Sequence, residues 1–93
     1  MHIDLIAWDS DDDPEGNVHH IAAAELVPAE VEEVLRGHRG GPDAFSEKTG
    51  FPIIFGNTST GKRIAVIYID ESDDDDLVVI YPVTAYPVPE YGG

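Results

Sequence analysis

Three apolar segments with strand-forming composition follow one another in the second half of the sequence, and they constrain the fold most strongly. These segments are residues 51–55, 63–69 and 77–84. Residues 57–61 have the Asn, Ser, Thr and Gly composition of a hairpin loop, and residues 70–76 form an acidic link. Consecutive strands with such short links favour an antiparallel meander. Pro52 indicates an edge position for the first strand, and Pro82 indicates a bulge or an end in the last ladder.

The first half of the sequence predicts one strand and two helices. Residues 3–8 are a short apolar stretch with partial alternation, which indicates a strand. Residues 13–15 (Asp-Pro-Glu) favour a helix start before residues 17–24, since an N-cap acceptor, a first-turn proline and an acid all suit that end. The second helix begins at Pro28. Its apolar stripe consists of Val31, Val34 and Leu35.

The predicted order of elements is β-α-α-β-β-β, which defines an α+β fold with two helices packed on a small antiparallel sheet. Neither helix can bury its apolar stripe alone, so both must cover the sheet. The 93 residues suffice for one domain. We assign residues 1–86 to this domain and residues 87–93 to an extended or flexible tail, which holds two prolines and two final glycines. The oligomeric state is left open, although an edge strand near Phe51 could pair with a second copy.

Acidic residues dominate the charge of the chain. There are 19 Asp and Glu residues against 5 Lys and Arg residues, and the formal net charge is −14. RNA is therefore a disfavoured partner, because phosphates are neutralised by Lys and Arg. An anionic membrane surface would repel the chain for the same reason. The charge favours a basic protein as the partner instead.

The sequence also indicates a compartment. It contains no cysteine, which excludes both a disulfide framework and thiolate chemistry. The N-terminal segment lacks a basic region followed by an apolar stretch, so we expect no signal peptide. Apolar runs such as residues 64–69 are too short to span a bilayer. We therefore expect a cytoplasmic protein.

Two acidic segments and a histidine pair are candidates for binding a metal ion. Alternate carboxylates precede the first helix at Asp9, Asp11 and Asp13. They resemble the opening of a calcium loop, but Pro14 and His20 stand where that loop needs Gly and Glu. We interpret this segment and residues 73–76 as solvated loops, with cation binding or a basic partner as alternatives. Adjacent residues such as His19 and His20 do not face each other on a helix. We expect no metal site and no cofactor.

Four of the five bases lie in two short segments. Arg36 and Arg39 flank His38 at the end of the second helix, and Lys62 and Arg63 begin the central strand. If these segments lie close together, they form an electropositive patch suited to one phosphate or carboxylate. Alternatively, they are exposed solubilising residues, with Arg36 acting as a helix C-terminal cation.

Several segments along the chain match a known family pattern. They are Trp8-Asp9, residues 13–18, residues 28–35, residues 55–58, residues 61–63 and Tyr68. Over residues 3–85 the chain resembles the BrnT family of bacterial toxins, which share a Trp-Asp segment, an Asn in the first helix, an acidic second helix and a Gly-rich hairpin. The resemblance implies a compact RelE-like ribonuclease domain with two helices on an antiparallel sheet. It also implies metal-independent RNA cleavage and neutralisation by an antitoxin.

The resemblance also implies where the catalytic residues should lie. RNA cleavage without a metal needs an acid, a base and cations around the phosphate. BrnT proteins carry bases late in the first helix and in the last strand. Here the matching residues are Ala22–Ala24 and residues 77–84, which contain no Lys or Arg. The catalytic candidates that remain are His20, Lys62 and Arg63.

Three hypotheses follow from the sequence. The first is a BrnT-like domain of a toxin–antitoxin lineage that is catalytically degenerate and binds a protein partner, either antitoxin-like or basic. The second is an active ribonuclease toxin. The third is an acidic interaction protein, or a nucleic-acid mimic that occupies a basic groove. The first hypothesis predicts that the chain is not an enzyme.

Overall fold

A computed structural model describes residues 2–72 and 76–89. Asp73, Asp74 and Asp75 of the acidic run lie outside the described residues, as do residues 90–93 of the predicted tail. Within the described part, two helices and five strands form in the order β1, α1, α2, β2, β3, β4, β5. Their bounds are β1 Leu5–Ile6, α1 Asn17–Ala22, α2 Pro28–Gly37, β2 Ala44–Phe45, β3 Pro52–Asn57, β4 Arg63–Asp70 and β5 Val79–Pro87.

The five strands make one sheet in the order β1-β5-β4-β3-β2. The α+β class is therefore confirmed, and β3, β4 and β5 form the predicted antiparallel meander. The prediction of a wholly antiparallel sheet is wrong, because β1 pairs with β5 in parallel. Two helices and three strands separate β1 from β5 in the chain, so the connection allows either a parallel or an antiparallel pairing. The pairing covers only two residues, and its direction leaves little signal in the sequence.

The strand β2 was not predicted, and it changes the position of β3 in the sheet. Ala44 and Phe45 pair with Ile53 and Pro52, so β3 is not an edge strand over its first two residues. Pro52 is tolerated because the ladder between β3 and β4 begins only at Ile53. The missing N–H of this proline therefore removes no hydrogen bond from the central sheet.

The helix α1 ends at Ala22, two residues before the predicted end at residue 24. It begins at Asn17, and its last turn closes when Leu26 N donates to Ile21 O (3.0 Å). Glu25 between them has φ 64°, a left-handed conformation that ends the helix and turns the chain into α2. The alanines 22–24 have high helix propensity, but the tight turn into Pro28 leaves no room for another helical turn.

Both helices pack on the same face of the sheet. Ile21 of α1 and Leu35 of α2 are fully buried against strand residues such as Ile54 and Ile80. The closest approach is at Gly56, where an added Cβ would lie 2.7 Å from Val34 Cγ1. This cluster of aliphatic side chains between helices and sheet is the core of the protein, and we call the sheet surface that faces it the helix-covered face.

The strand β5 contains a bulge next to Pro82, which confirms the bulge or ladder end predicted there. Tyr68 pairs with Pro82 and Ile67 pairs with Thr84, so Val83 is an extra residue on β5. An extra residue shifts the alternation of side chains along the strand. Ile80 and Ala85 therefore both reach the core, although four residues lie between them and a regular strand would place them on opposite faces. The strand β5 then continues to Pro87, and Val88 N donates to Arg63 O (2.9 Å).

Candidate functional site

The three catalytic candidates predicted from the sequence make contacts in three different places. Lys62 Nζ lies 3.2 Å from Glu30 Oε2 and also donates to Glu25 O at 3.1 Å. These partners belong to the start of α2 and to the turn before it. The charge of Lys62 is therefore engaged on the helix side of the molecule.

Arg63 points to the other side of the sheet from Lys62. Ile64 lies in the helix-covered core, and neighbouring residues of a strand project to opposite faces. Arg63 pairs across the sheet with Asn57 and lines a cavity of about 320 Å³ together with Phe55, Val88 and Pro89. Arg63 forms no ion pair with another described residue.

His20 lies on α1 and reaches the bulge of β5. Its Nδ1 is 3.3 Å from the Val83 carbonyl oxygen. Val83 lies opposite the middle of β4, whereas Lys62 and Arg63 lie at the start of that strand. Among the described residues, no hydrogen bond or ion pair joins His20 to either base. The arrangement does not gather an acid, a base and two cations around one phosphate position.

The predicted anion patch is also divided. Arg36 turns toward β1, where Nη1 donates to Ile3 O (2.9 Å) and Nε lies 3.6 Å from Glu32 Oε1. His38 Nε2 is 2.9 Å from Gly41 O, within its own loop. Arg39 borders a separate cavity of about 200 Å³ beside the outer edge of β3. The helix end therefore distributes its cations in different directions.

Glu30 holds the β3–β4 hairpin loop against α2, a role that the sequence analysis missed. Thr60 Oγ1 donates to Glu30 Oε2 at 2.7 Å, and Val27 N donates to Oε1 at 3.2 Å. The Thr60 hydroxyl, followed by Lys62 and the Val27 N–H, lowers the pKa of Glu30. The only sequence signal for this role is a Glu at the third helical position, which often reaches back to the N-cap N–H.

A second network joins the loop before α1 to β5. Asn17 is fully buried, accepts from Asp9 N (2.8 Å) and donates to Ala7 O and Pro82 O (3.0 and 2.9 Å). Asp9 Oδ2 in turn accepts from Asn17 N (3.0 Å) and from the Tyr81 hydroxyl (2.5 Å). Asp9 was a candidate calcium ligand, but its carboxylate is engaged by Asn17 and Tyr81 of the same chain.

The Asp9–Tyr81 contact shifts the pKa of both groups. The Tyr81 hydroxyl and the Asn17 N–H lower the pKa of Asp9. Asp9, with burial and the nearby Glu71 and Asp13 carboxylates, raises the pKa of Tyr81 to about 12. Within the described residues there is no group of three or more His, Asp or Glu side chains arranged to hold a metal ion.

The sheet has a second face, which no described helix covers, and we call it the open face. Cross-strand pairing places its residues in rows. One row contains Phe55, Ala65 and Tyr86, and the next contains Ile53, Ile67 and Thr84. Ile69 and Tyr81 follow, and then Val79 and Leu5. This face is a broad, mostly apolar surface with Arg63 at one end and Tyr81 near the other.

Comparison with known proteins supplies no relative for this chain. No family model matches it, no curated protein matches it, and no solved structure matches it. Neither helix in the described part of the chain is long and apolar enough to cross a membrane.

Proposed function

We propose that this chain is a BrnT-like domain of a toxin–antitoxin lineage that has lost ribonuclease chemistry and acts by binding a protein partner. The observation that carries the proposal is the divergence of Lys62 and Arg63. One base is paired with Glu30 on the helix side, and the other lies on the open face. A metal-free ribonuclease needs several such groups converging on one phosphate, because each must act on charge that develops in a single transition state.

The electrostatics support a protein partner over RNA. With a net charge of −14, the molecule repels a polyanion over the range of a Debye length. Arg36 and Lys62 are each paired with a glutamate, which further reduces the cationic surface that a phosphate could use. A cytoplasmic place of action belongs to this proposal, and the absence of cysteine is compatible with a reducing compartment.

A general acidic interaction protein is the second candidate function. It is favoured by the carboxylates of Asp9, Asp13 and Glu71, which lie near the Tyr81 hydroxyl. Both candidates predict a protein partner. They differ in lineage, because only the first expects the partner to be an antitoxin-like protein.

The proposal is tested by inducing the chain in a bacterial host and measuring growth and bulk protein synthesis. In a separate assay, the purified protein is incubated with RNA, and cleavage is measured. We expect normal growth and no cleavage from well-expressed, folded protein. Arg63→Ala is compared with Lys48→Ala, which removes an equal charge from the exposed turn between β2 and β3. Growth arrest that Arg63→Ala relieves and Lys48→Ala does not would establish the active ribonuclease instead.

A further inference from the structure

The open face lacks the polar alternation of a sheet face that contacts water. The outward residues of β4 after Arg63 are Ala65, Ile67 and Ile69, and those of β3 begin with Ile53 and Phe55. An antiparallel sheet with one solvated face normally alternates apolar and polar residues along each strand. Here β4 is apolar toward both sides. This pattern is typical of a strand that is covered on both faces.

Burial on the open face agrees with this pattern. Ala65 is fully buried and Ile53 is 9 % exposed, yet neither belongs to the core under the helices. On the same face, Ile67 is only half-buried and Tyr86 is 40 % exposed. The surface is therefore a continuous apolar strip with aromatic and aliphatic side chains left in contact with solvent, which is the usual mark of an interaction site.

The two ends of the open face carry opposite charge. At one end Arg63 borders the 320 Å³ cavity beside Phe55 and Val88. At the other end the Tyr81 hydroxyl bonds to Asp9, and the Glu71 carboxylate lies close enough to raise the pKa of Tyr81. No Lys or Arg of the described chain forms an ion pair with these acids. A partner that fits this face therefore needs an apolar stripe and basic residues over the Tyr81 end.

We infer that the open face binds an amphipathic helix of a partner protein, one with an apolar stripe and Lys or Arg on its flanks. This inference rests on the proposed function and names the surface that the partner uses. A helix on the open face would add a third layer to the two layers already present, because an apolar sheet face is buried by packing against another secondary-structure element. Helical spacing presents one apolar stripe to the rows of β3, β4 and β5, and the basic flank then faces Asp9 and Glu71.

A second copy of the chain is a less suitable occupant, because it would bring another net charge of −14 against the first. The open face extends along β5 from Val79 to Val88, which is about 30 Å of strand and enough for a helix of several turns. Charge therefore favours a basic partner.

The test uses a synthetic fluorescent peptide of about 18 residues, long enough to form a helix in contact with a surface. It carries Leu at helical i, i+3 and i+4 spacing and Lys on both flanks. One control peptide has Glu in place of Lys, and another has the same composition with the Leu residues scattered. Binding to the full chain is measured by fluorescence anisotropy at several salt concentrations. Hydrogen exchange then locates the protected strands.

Ile67→Thr and Tyr86→Thr are the variants that alter the open face. The matched control is Val27→Thr, which changes a 53 % exposed side chain at the start of α2, on the other side of the sheet. We expect each open-face variant to weaken binding by about tenfold and Val27→Thr to leave it unchanged. Circular dichroism shows which variants are folded. Tyr86→Thr keeps the test valid if Ile67→Thr unfolds, because Tyr86 is already exposed.

Support requires that the Lys peptide binds, that both control peptides bind more weakly, and that salt reduces the affinity. Absence of binding overturns the inference, as does binding that the open-face variants leave unchanged. A dimer of the free chain that Ile67→Thr dissociates would show that a second copy covers the face. Binding only after removal of residues 90–93 would show that the tail covers it.

The inference and the proposed function fail in different ways. Loss of peptide binding without growth arrest or RNA cleavage would remove only the open face as the docking surface. Growth arrest relieved by Arg63→Ala would remove the proposed function, whatever the peptide does. The two measurements share no readout.

Discussion

At the residue scale, Asn17 shows how one buried polar side chain organises the first half of the molecule. Its side chain makes three hydrogen bonds, and these reach the loop before α1, the end of β1 and the middle of β5. A buried amide with its donors and acceptor satisfied is tolerated, whereas the backbone groups that it serves would each be costly to leave unpaired. Asn17 therefore sets where α1 begins, although Pro14 carries the stronger helix-start signal.

The Asp9–Tyr81 pair leads to a prediction at the same scale. Because the pKa of Tyr81 is raised to about 12, we expect Tyr81 to ionise well above the ordinary value of 10.0. Ultraviolet absorbance of tyrosinate against pH measures this, and Tyr81→Phe identifies which step belongs to Tyr81. Asp9→Asn should lower the pKa of Tyr81 toward 10.0, while Asp12→Asn, on the same loop, should not. Equal effects of the two Asp variants would contradict the contact.

The same pair gives the folded state a pH dependence with a defined sign. The folded pKa of Tyr81 lies above its unfolded value, so its contribution to stability is present below pH 10 and is lost as pH rises toward 12. Asp9 and Glu30 have lowered pKa values. Their contributions are present above the unfolded carboxyl pKa values and are lost as pH falls through the folded ones.

At the scale of elements, the packing of α2 on β3 depends on the absence of a side chain at Gly56. Val34 Cγ1 lies 2.7 Å from the position of an added Cβ. In this protein the Gly-x-Thr segment of the hairpin thus has a packing reason, since α2 approaches β3 most closely there. The neighbouring hairpin loop is then held by Thr60 and Lys62 against Glu30.

This contact predicts the outcome of Gly56→Ala. We expect the free energy of unfolding to fall by about 1–3 kcal/mol, because the new methyl group overpacks the contact with Val34. Chemical denaturation measures the change, and Gly41→Ala is the control, since a Cβ there meets nothing within 4 Å. The double variant with Val34→Ala should lose less than the sum of the single variants. Additive losses would mean that Gly56 matters for another reason.

The β elements show which features propensity could predict. The three central strands were found from the sequence because each is an apolar run bounded by turn residues, and their antiparallel pairing followed from the short links. The strands β1 and β2 contain two residues each, and whether such short segments form strands depends on the strands they pair with. The sequence predicts a bulge or a strand end at Pro82. That the bulge turns Ala85 toward the core follows only from the pairing register of β4 and β5.

At the scale of the whole molecule, charge is the dominant property. A net charge of −14 on 93 residues makes the folded state self-repulsive. The open face adds an apolar surface to this acidic body. The proposed basic, amphipathic partner would match both of these properties.

Self-repulsion predicts that salt stabilises the free protein. We expect the thermal midpoint to rise as NaCl is increased from about 0.01 M to about 0.15 M, since the Debye length falls from about 30 Å to about 8 Å. Differential scanning calorimetry measures the rise. Replacing Asp73, Asp74 and Asp75 by Asn removes three of the 14 net negative charges and should reduce the rise. An unchanged or reversed salt effect would contradict this view.

The sequence alone determined the α+β class, the central meander, the two helices and the acidic character, because these depend on local periodicity and on summed charge. The candidate site depended on the tertiary structure. Lys62 and Arg63 are adjacent in the sequence, yet Lys62 pairs with Glu30 on the helix side, whereas Arg63, the first residue of β4, lies on the open face. Asp9 and Tyr81 are distant in the sequence, yet the Tyr81 hydroxyl donates a hydrogen bond to Asp9 because β1 pairs with β5. The open face, likewise, exists only once pairing has aligned the outward residues of three strands.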